Sequence, residues 1–318
     1  HIMRFIHINW KKNHILYRDK NFFLYEHQNN NKVNYVLSLD DDNNINAILG
    51  FVKASDNIGD VFTVMWKTLK NLDNPMLGIE LLEYLRNSDE AKRVIGVGPS
   101  VKALSIYNYL GIYTNLLNQY IIINKNITNF NILKVKDIES IERESFIENP
   151  QYTLIKLQED ELDFNFDKQE YIPHKDKNYL IKRYFNHPIY KYAVYGIYNA
   201  KTLTSLIVAR EVAVENSKIL RIMDYLGDEN DIAYVSKYIY QIVVNNGYEY
   251  VDFMCFGFDD KNLEKAGFIK INLDSTEIIA PNYFSPFVQE NIKINFMADT
   301  KEINKLRICK ADGDQDRP

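Results

Sequence analysis

Short stretches rich in Val, Ile, Tyr and Phe alternate along the chain with stretches of helical period, and turn-forming clusters separate them. Asn34–Leu39 predicts a strand, Asp40–Asn44 a turn, and Ile45–Val52 the returning strand of a hairpin. Val61–Lys67 predicts a third strand. After the breaker Asp73-Asn74-Pro75, the residues Leu77, Leu81, Leu82 and Leu85 fall on one face of a helix. Arg93–Val97 reads as a short buried strand and Val101–Leu110 as a helix stopped by Gly111. Tyr120–Ile123 then reads as the strand that closes the unit.

The second half repeats that order. Ala193–Tyr198 and Leu203–Val214 predict a hairpin, Ile219–Tyr225 the next strand, and Asp231–Asn245 an amphipathic helix. Tyr250–Met254 predicts a buried strand, and Lys261–Ala266 a short helix stopped by Gly267. The helix ends match: Tyr109-Leu110-Gly111-Ile112 stands beside Lys265-Ala266-Gly267-Phe268. Between the halves, Glu139–Lys177 is acidic and irregular and reads as a linker with the first helices of the second unit. The expected fold is mixed α/β (α+β): two tandem units, residues 3–130 and 131–318, each a mixed, mainly antiparallel sheet flanked by helices. A chain of 318 residues suits two cores of about 150 residues each.

Composition narrows the function classes. Apolar residues at 46% and charged residues at 25% are those of a folded globular protein. The apolar runs fall short of the roughly 20 residues that cross a bilayer, so no membrane insertion is expected. Arg4, Lys11, Lys12 and His14 interrupt the amino end, so no secretory leader is expected either. The net charge of −5 supplies no basic face for phosphates, which argues against a nucleic-acid partner. Cys255 and Cys309 stand alone without metal-ligand spacing. The expectation is therefore no metal, no disulfide framework and a cytoplasmic location. The tail Lys310–Pro318 has a superficial likeness to a calcium loop but lacks its twelfth-position ligand.

Two segments of the first half carry chemistry. Asp73-Asn74-Pro75-Met76-Leu77-Gly78 lies between a strand and a helix, where successive N–H groups and the helix dipole can hold a diphosphate. Ala103-Leu104-Ser105-Ile106-Tyr107-Asn108-Tyr109-Leu110-Gly111-Ile112 follows the Ala-x-x-Phe-Tyr-x-x-Leu-Gly-Phe pattern of many GNAT acyltransferases. Residues 45–123 thus resemble a GNAT core, and residues 190–272 a second, more diverged one. The resemblance implies that Asn74, Met76, Leu77, Gly78 and Asn108 contact the coenzyme A of acetyl-CoA or another acyl-CoA. It implies that the strand at Val64-Met65 aligns the pantetheine arm and offers an N–H to the oxyanion. It also implies that Tyr107 protonates the departing thiolate. The phosphate loop departs from the family's Arg/Gln-x-x-Gly-x-Gly/Ala: only the last glycine is kept, and Asp73 replaces the basic or amide residue. An ordinary strand-to-helix turn and a packed helix aromatic are the plainer readings of Gly78 and Tyr107.

The matching loop of the second unit, Leu226–Asp231, holds three carboxylates that would repel a diphosphate, so coenzyme A is expected in the first unit only. An attacking amine needs a proton acceptor, and His14 and His187 are candidates. His14 is preferred because it belongs to the unit assigned to coenzyme A; a hydrogen-bonded structural histidine is the alternative for each. Asp224 and Asp252, set in apolar strands, are candidates for gripping a polar substrate alongside His187. Asn13–Leu16, Pro281–Phe287 and the carboxy terminus are similar to tandem GNAT-like proteins of bacterial surface-polysaccharide pathways. That likeness implies acyl transfer, acetyl foremost, to the amine of a nucleotide-linked deoxyamino sugar. An oligomer is compatible with the chain. Two other readings stand beside it. A Fem-type aminoacyl or peptidyl transferase also has two such units, but the acidic charge disfavours tRNA and no helical-hairpin arm is visible. A degenerate, non-catalytic binding module is favoured by the poor glycine loop.

Overall fold

A computed structural model describes residues 1–70, 72–138, 146–147 and 149–313. Much of the calcium-like tail, and part of the linker stretch that begins at Glu139, lie outside those residues. Three short helices open the chain: α1 (Ile2–Asn9), α2 (Ile15–Arg18) and α3 (Lys20–His27). They were not expected, because each is too short to show a sustained helical period. Ile2, Phe5, Ile6, Leu16, Phe22 and Phe23 bury against Ile48 and Met65 of the sheet that follows. The strands β1 (Tyr35–Leu39), β2 (Ile45–Lys53) and β3 (Asp60–Thr68) form an antiparallel meander. The helix α4 (Leu77–Arg86) then crosses over to β4 (Arg93–Val97), which lies parallel to β3. Next comes α5 (Val101–Tyr109), capped by Ser100 on the Ala103 N–H and followed by Gly111 at φ +69°, where glycine is the favoured residue. The short strand β5 (Tyr113–Leu116) leads to β6 (Asn118–Ile123). The meander alternates as expected: Ala47, Leu49 and Phe51 face α4 and α5, while Ile48 faces α1–α3.

The second half opens with an unexpected edge strand, β7 (Tyr152–Lys156), and α6 (Lys177–Leu180), which widens into a π-helical turn over Ile181–Phe185. In place of the first helices expected in this stretch, the described part before α6 holds that strand and two 3₁₀ turns. The strands β8 (Ala193–Asn199), β9 (Thr202–Val214) and β10 (Ser217–Gly227) form a second antiparallel meander. The predicted helix 231–245 is broken at the buried Val235 into α7 (Asp231–Tyr234) and α8 (Ser236–Asn245). Then follow β11 (Tyr250–Phe256), α9 (Asp260–Lys265), β12 (Ile269–Lys270), β13 (Asn295–Ala298) and β14 (Ile308–Cys309).

Among the described residues these strands make two large sheets, ordered β1-β2-β3-β4-β13-β5 and β7-β8-β9-β10-β11-β6-β12, with β14 on β11. The chain is therefore mixed α/β, with two mixed, mainly antiparallel sheets flanked by helices. One expectation is corrected. Tyr120–Ile123 does not close the first sheet: β6 runs antiparallel to β11, pairing Ile121 with Asp252 and Ile123 with Tyr250. The vacated place beside β4 and β5 is taken by β13, from near the other end of the chain. All of Gln119–Ile123 is buried, with Ile122 on one face of the second sheet and Ile121 on the other. A shared core joins the sheets: Phe62, Ile95 and Phe296 of the first sheet with Val208, Met223 and Met254 of the second.

Candidate active site

The two sheets carry the same irregularity at the same place. The parallel pair β3–β4 is joined over three residues, Asp60–Phe62 against Arg93–Ile95, and the ladder then stops. On its other side β3 pairs Met65 with Gly50 and Thr63 with Phe51, so Val64 is the extra residue of a bulge. A bulge bends a strand and increases its twist, which turns Val64–Thr68 away from β4 and opens a fork. In the second sheet β10–β11 is likewise joined over Leu220–Ile222 and Val251–Phe253, and Met223 is the bulged residue.

Beside the first fork the structure brings together several of the expected residues. Gly78 lies against β3; a Cβ there would stand 3.3 Å from Thr68 Cγ2 and 3.4 Å from Trp66 Nε1. The Trp66 indole donates to the Gly78 carbonyl at 3.0 Å and stacks on Tyr107, with ring centroids 5.6 Å apart. Tyr107 is buried, and its phenol lies near Thr63, the first residue beyond the β3–β4 ladder. Burial pushes the phenol pKa up to about 12, against a smaller downward pull from Thr63, so the hydroxyl keeps its proton throughout the neutral range. Thr63 Oγ1 in turn donates to the Ile95 carbonyl at 3.3 Å. Val64 and Met65 are buried at the fork itself, and Leu77 packs with Trp66 against the α4–α5 core. No sequence pattern marks Thr63 or Trp66 as part of a site: a strand pattern shows which side chains are apolar, not which neighbours a helix will bring.

The remaining loop residues are committed to local contacts. Asn74 accepts from the Met76 N–H at 2.9 Å and donates to both oxygens of Glu80 at 3.0 and 3.1 Å. Met76 is the uncapped N-cap of α4 and is exposed. A carboxylate in the first helical turn favours the dipole but repels a diphosphate. Asn108, on the exposed side of α5, accepts from Thr114 at 2.7 Å.

Neither histidine touches Tyr107. His14 caps α2, its Nδ1 accepting from the Leu16 N–H at 3.2 Å, on the α1–α3 face of the first sheet. With Nδ1 so engaged, a neutral ring carries its hydrogen on Nε2. His187 accepts from the Ile189 and Tyr190 N–H groups at 3.2 and 2.9 Å and stacks on Tyr190. It lines a pocket of about 140 Å³ between α3, the end of β2 and the α6 turn, together with Tyr25, Asp56, Asp176 and Lys182.

The second fork is closed by the chain itself. β14 pairs with β11 on the side facing β10, setting Cys309 opposite Cys255. The Lys310 N–H donates to the Met254 carbonyl and the Ala311 N–H to the Met223 carbonyl, both at 3.1 Å, so residues 308–311 bridge the two strands. Lys175, fully buried, binds Asp224 Oδ1 at 2.5 Å and Asp312 Oδ1 at 2.6 Å. Asp224 also accepts from Tyr184 at 2.7 Å and from the Tyr225 N–H at 2.9 Å. Asp252 accepts from Arg221 Nε and Nη2 at 2.9 and 2.6 Å, and Arg221 Nη2 and Nη1 donate to the carbonyls of Pro281 and Asn282. Both aspartates are fully buried and hold structure together. In the acidic loop, Glu229 is paired with Arg307 at 3.1 Å and Asp231 accepts from Ser205 at 2.7 Å. No group of three or more His, Cys, Asp or Glu suited to a metal occurs among the described residues, and no helix there is long and apolar enough to cross a membrane.

No protein-family model matches the chain, and no curated protein matches it. Among solved structures it is similar to a GCN5-related N-acetyltransferase from Anabaena variabilis ATCC 29413, at 12% identity and a TM-score of 0.48, over 84% of this chain and 62% of that one. It is similar to a GCN5-related N-acetyltransferase from Sphaerobacter thermophilus at 9% identity and a TM-score of 0.38, over 90% and 81%. A third is the GCN5-related glucosamine N-acetyltransferase region of a fungal multi-domain GH3 beta-N-acetylglucosaminidase, at 11% identity and a TM-score of 0.47, over 85% and 35%. The chain spans less than two thirds of the length of the Anabaena and fungal chains.

Proposed function

We propose that the protein is an acyl-CoA-dependent N-acyltransferase whose cofactor occupies the first fork alone. The observation that carries this reading is the contrast between the forks. At one, β3 parts from β4 beyond Phe62 and the Tyr107 phenol lies near Thr63; the other is bridged by residues 308–311. Pantetheine carries amides at strand-like spacing, so Val64–Thr68 can offer it the backbone bonds that β4 does not take. The amine of the acceptor attacks the thioester carbonyl carbon, the C–N bond forms, and the oxygen becomes an oxyanion for which a backbone N–H near Met65 is the proposed donor. Collapse breaks the C–S bond, Tyr107 gives its proton to the thiolate, and a proton from solvent restores the phenol before the next turnover. The amine's own proton needs an acceptor. His14 is the proposed one; to take the proton its Nδ1 must release the Leu16 N–H that it caps, and since it lies on the sheet face opposite Tyr107, the two can act together only on a substrate that threads the fork.

The finer reading is a nucleotide-linked deoxyamino sugar as acceptor and acetyl as the acyl group, acting in the cytoplasm. The pocket at His187, with Asp56, Asp176 and Lys182 on its wall, supports an acceptor that carries hydroxyl groups. Residues 3–130 and 131–318 are proposed as the two units, with β6 and β13 exchanged between their sheets. A second reading, a binding module without turnover, is favoured by Glu80 in the first turn of α4. The deciding experiment is titration with coenzyme A followed by a bound structure. A ligand at 100 times its Kd should stabilise the protein by about 2.7 kcal/mol, with density at Val64–Thr68. No thermal shift at millimolar excess, or density in the second fork, would overturn the proposal; binding without transfer to any amine would select the second reading.

A further inference from the structure

The chain has two cysteines in 318 residues, and the fold sets them directly opposite each other. Cys255 lies on β11 and Cys309 on β14, the strand that closes the second fork. The bond beside them runs from the Lys310 N–H to the Met254 carbonyl, and the Cys309 N–H is taken by Asp312 Oδ2 at 2.8 Å. They are therefore a non-hydrogen-bonded antiparallel pair, the kind whose Cα atoms stand about 4.5 Å apart with the side chains close. That lies within the range of about 4.4–6.8 Å that a disulfide spans. Both side chains belong to the same apolar cluster under α7–α9, so they project to the same face. Their thiols are free and buried, and burial pushes both well above the ordinary thiol range. A closed fork therefore keeps them protonated and slow to react.

We propose that Cys255 and Cys309 are a redox modification site: a cross-strand disulfide that fastens the carboxy-terminal strand into the second fork. The oxidant is a small-molecule disulfide such as oxidised glutathione. When β14 lifts from β11, the Cys309 thiolate attacks one sulfur of that disulfide and expels one small thiol. When β14 returns, the Cys255 thiolate attacks the Cys309 sulfur of the mixed disulfide and expels the second. One protein dithiol and one small disulfide become one protein disulfide and two small thiols, and no other reactant is needed. The inference does not rest on acyl transfer.

The test uses the whole chain incubated in glutathione buffers of graded oxidation, quenched in acid, denatured, alkylated and weighed. The expected product is a monomer two hydrogens lighter that takes up no alkylating agent, absent from Cys255→Ser and Cys309→Ser. Its Tm should exceed that of the reduced protein by on the order of 5–10 °C. The amides of Lys310 and Ala311 should exchange more slowly with solvent once the bond has formed. Full alkylation of both thiols at every buffer ratio would overturn the proposal. So would a product that is a cross-linked dimer or a stable glutathione adduct, or amides whose exchange does not change.

Discussion

Tyr107 and His14 make opposite demands on their surroundings, and each can be tested by removing one group. Tyr107→Phe keeps the ring against Trp66 and deletes the proton donor. We expect kcat to fall by about 10²-fold with acyl-CoA binding nearly unchanged. Because burial holds the phenol near 12, the wild-type rate should show no loss from Tyr107 ionisation up to about pH 10. A wild-type rate in the variant would return Tyr107 to a packing role. His14→Asn retains a side chain that caps helices well, so it separates proton transfer from the α2 cap. If His14 accepts the amine proton, the acidic limb of kcat/KM for the acceptor disappears in the variant; an identical profile would leave only the cap. The place of Tyr107 in its helix was legible in the sequence because that helix ends on a glycine at a fixed offset. The ties of Asp224 and Asp252 were not. An aspartate in an apolar strand announces a partner without saying whether that partner is a ligand, an Arg221 thirty-one positions away, or a lysine from an irregular segment.

At the scale of elements, the segment closing the second fork depends on one lysine. Removing the charge in Lys175→Met leaves two buried carboxylates facing each other, a change of the kind that costs about 3–5 kcal/mol. Denaturant unfolding should show that loss. Asp312 adds a pH dependence. Burial raises its carboxyl to about 6 from 3.8, opposed by Lys175 and reinforced by Asp224. Between those values the native state holds the proton more tightly than the unfolded chain. Its contribution to stability is therefore fullest below the unfolded value and is lost as pH rises through about 6. On acidification, the wild type should gain stability relative to Asp312→Asn. Parallel curves across that window would show that the carboxyl stays ionised. The hairpins, α4 and β4 followed the sequence pattern closely, because alternation and helical period are local properties. The partner of a strand is not local: Gln119–Ile123 is buried on both faces, which suits the interior of either sheet equally well.

At the scale of the molecule, the exchange of β6 and β13 makes each sheet depend on the other half. A chain ending before Asn295 lacks the strand between β4 and β5, and we expect it to give no cooperative unfolding transition. The intact chain should melt in one step by calorimetry, since Phe62, Phe296, Val208 and Met254 share a core. Two separated transitions would show that the exchange does not couple the halves. The same exchange governs what happens on the ribosome. β1–β5 are made early, yet the strand that completes their sheet is translated only after β7–β12 have emerged. At about 5–20 residues per second, the nascent first sheet waits roughly 10–35 s with β4 and β5 unjoined. Through that interval Ile95 and Val97 lack their eventual cover from Phe296 and Ala298, which leaves an apolar strand edge of the newborn chain open to a chaperone.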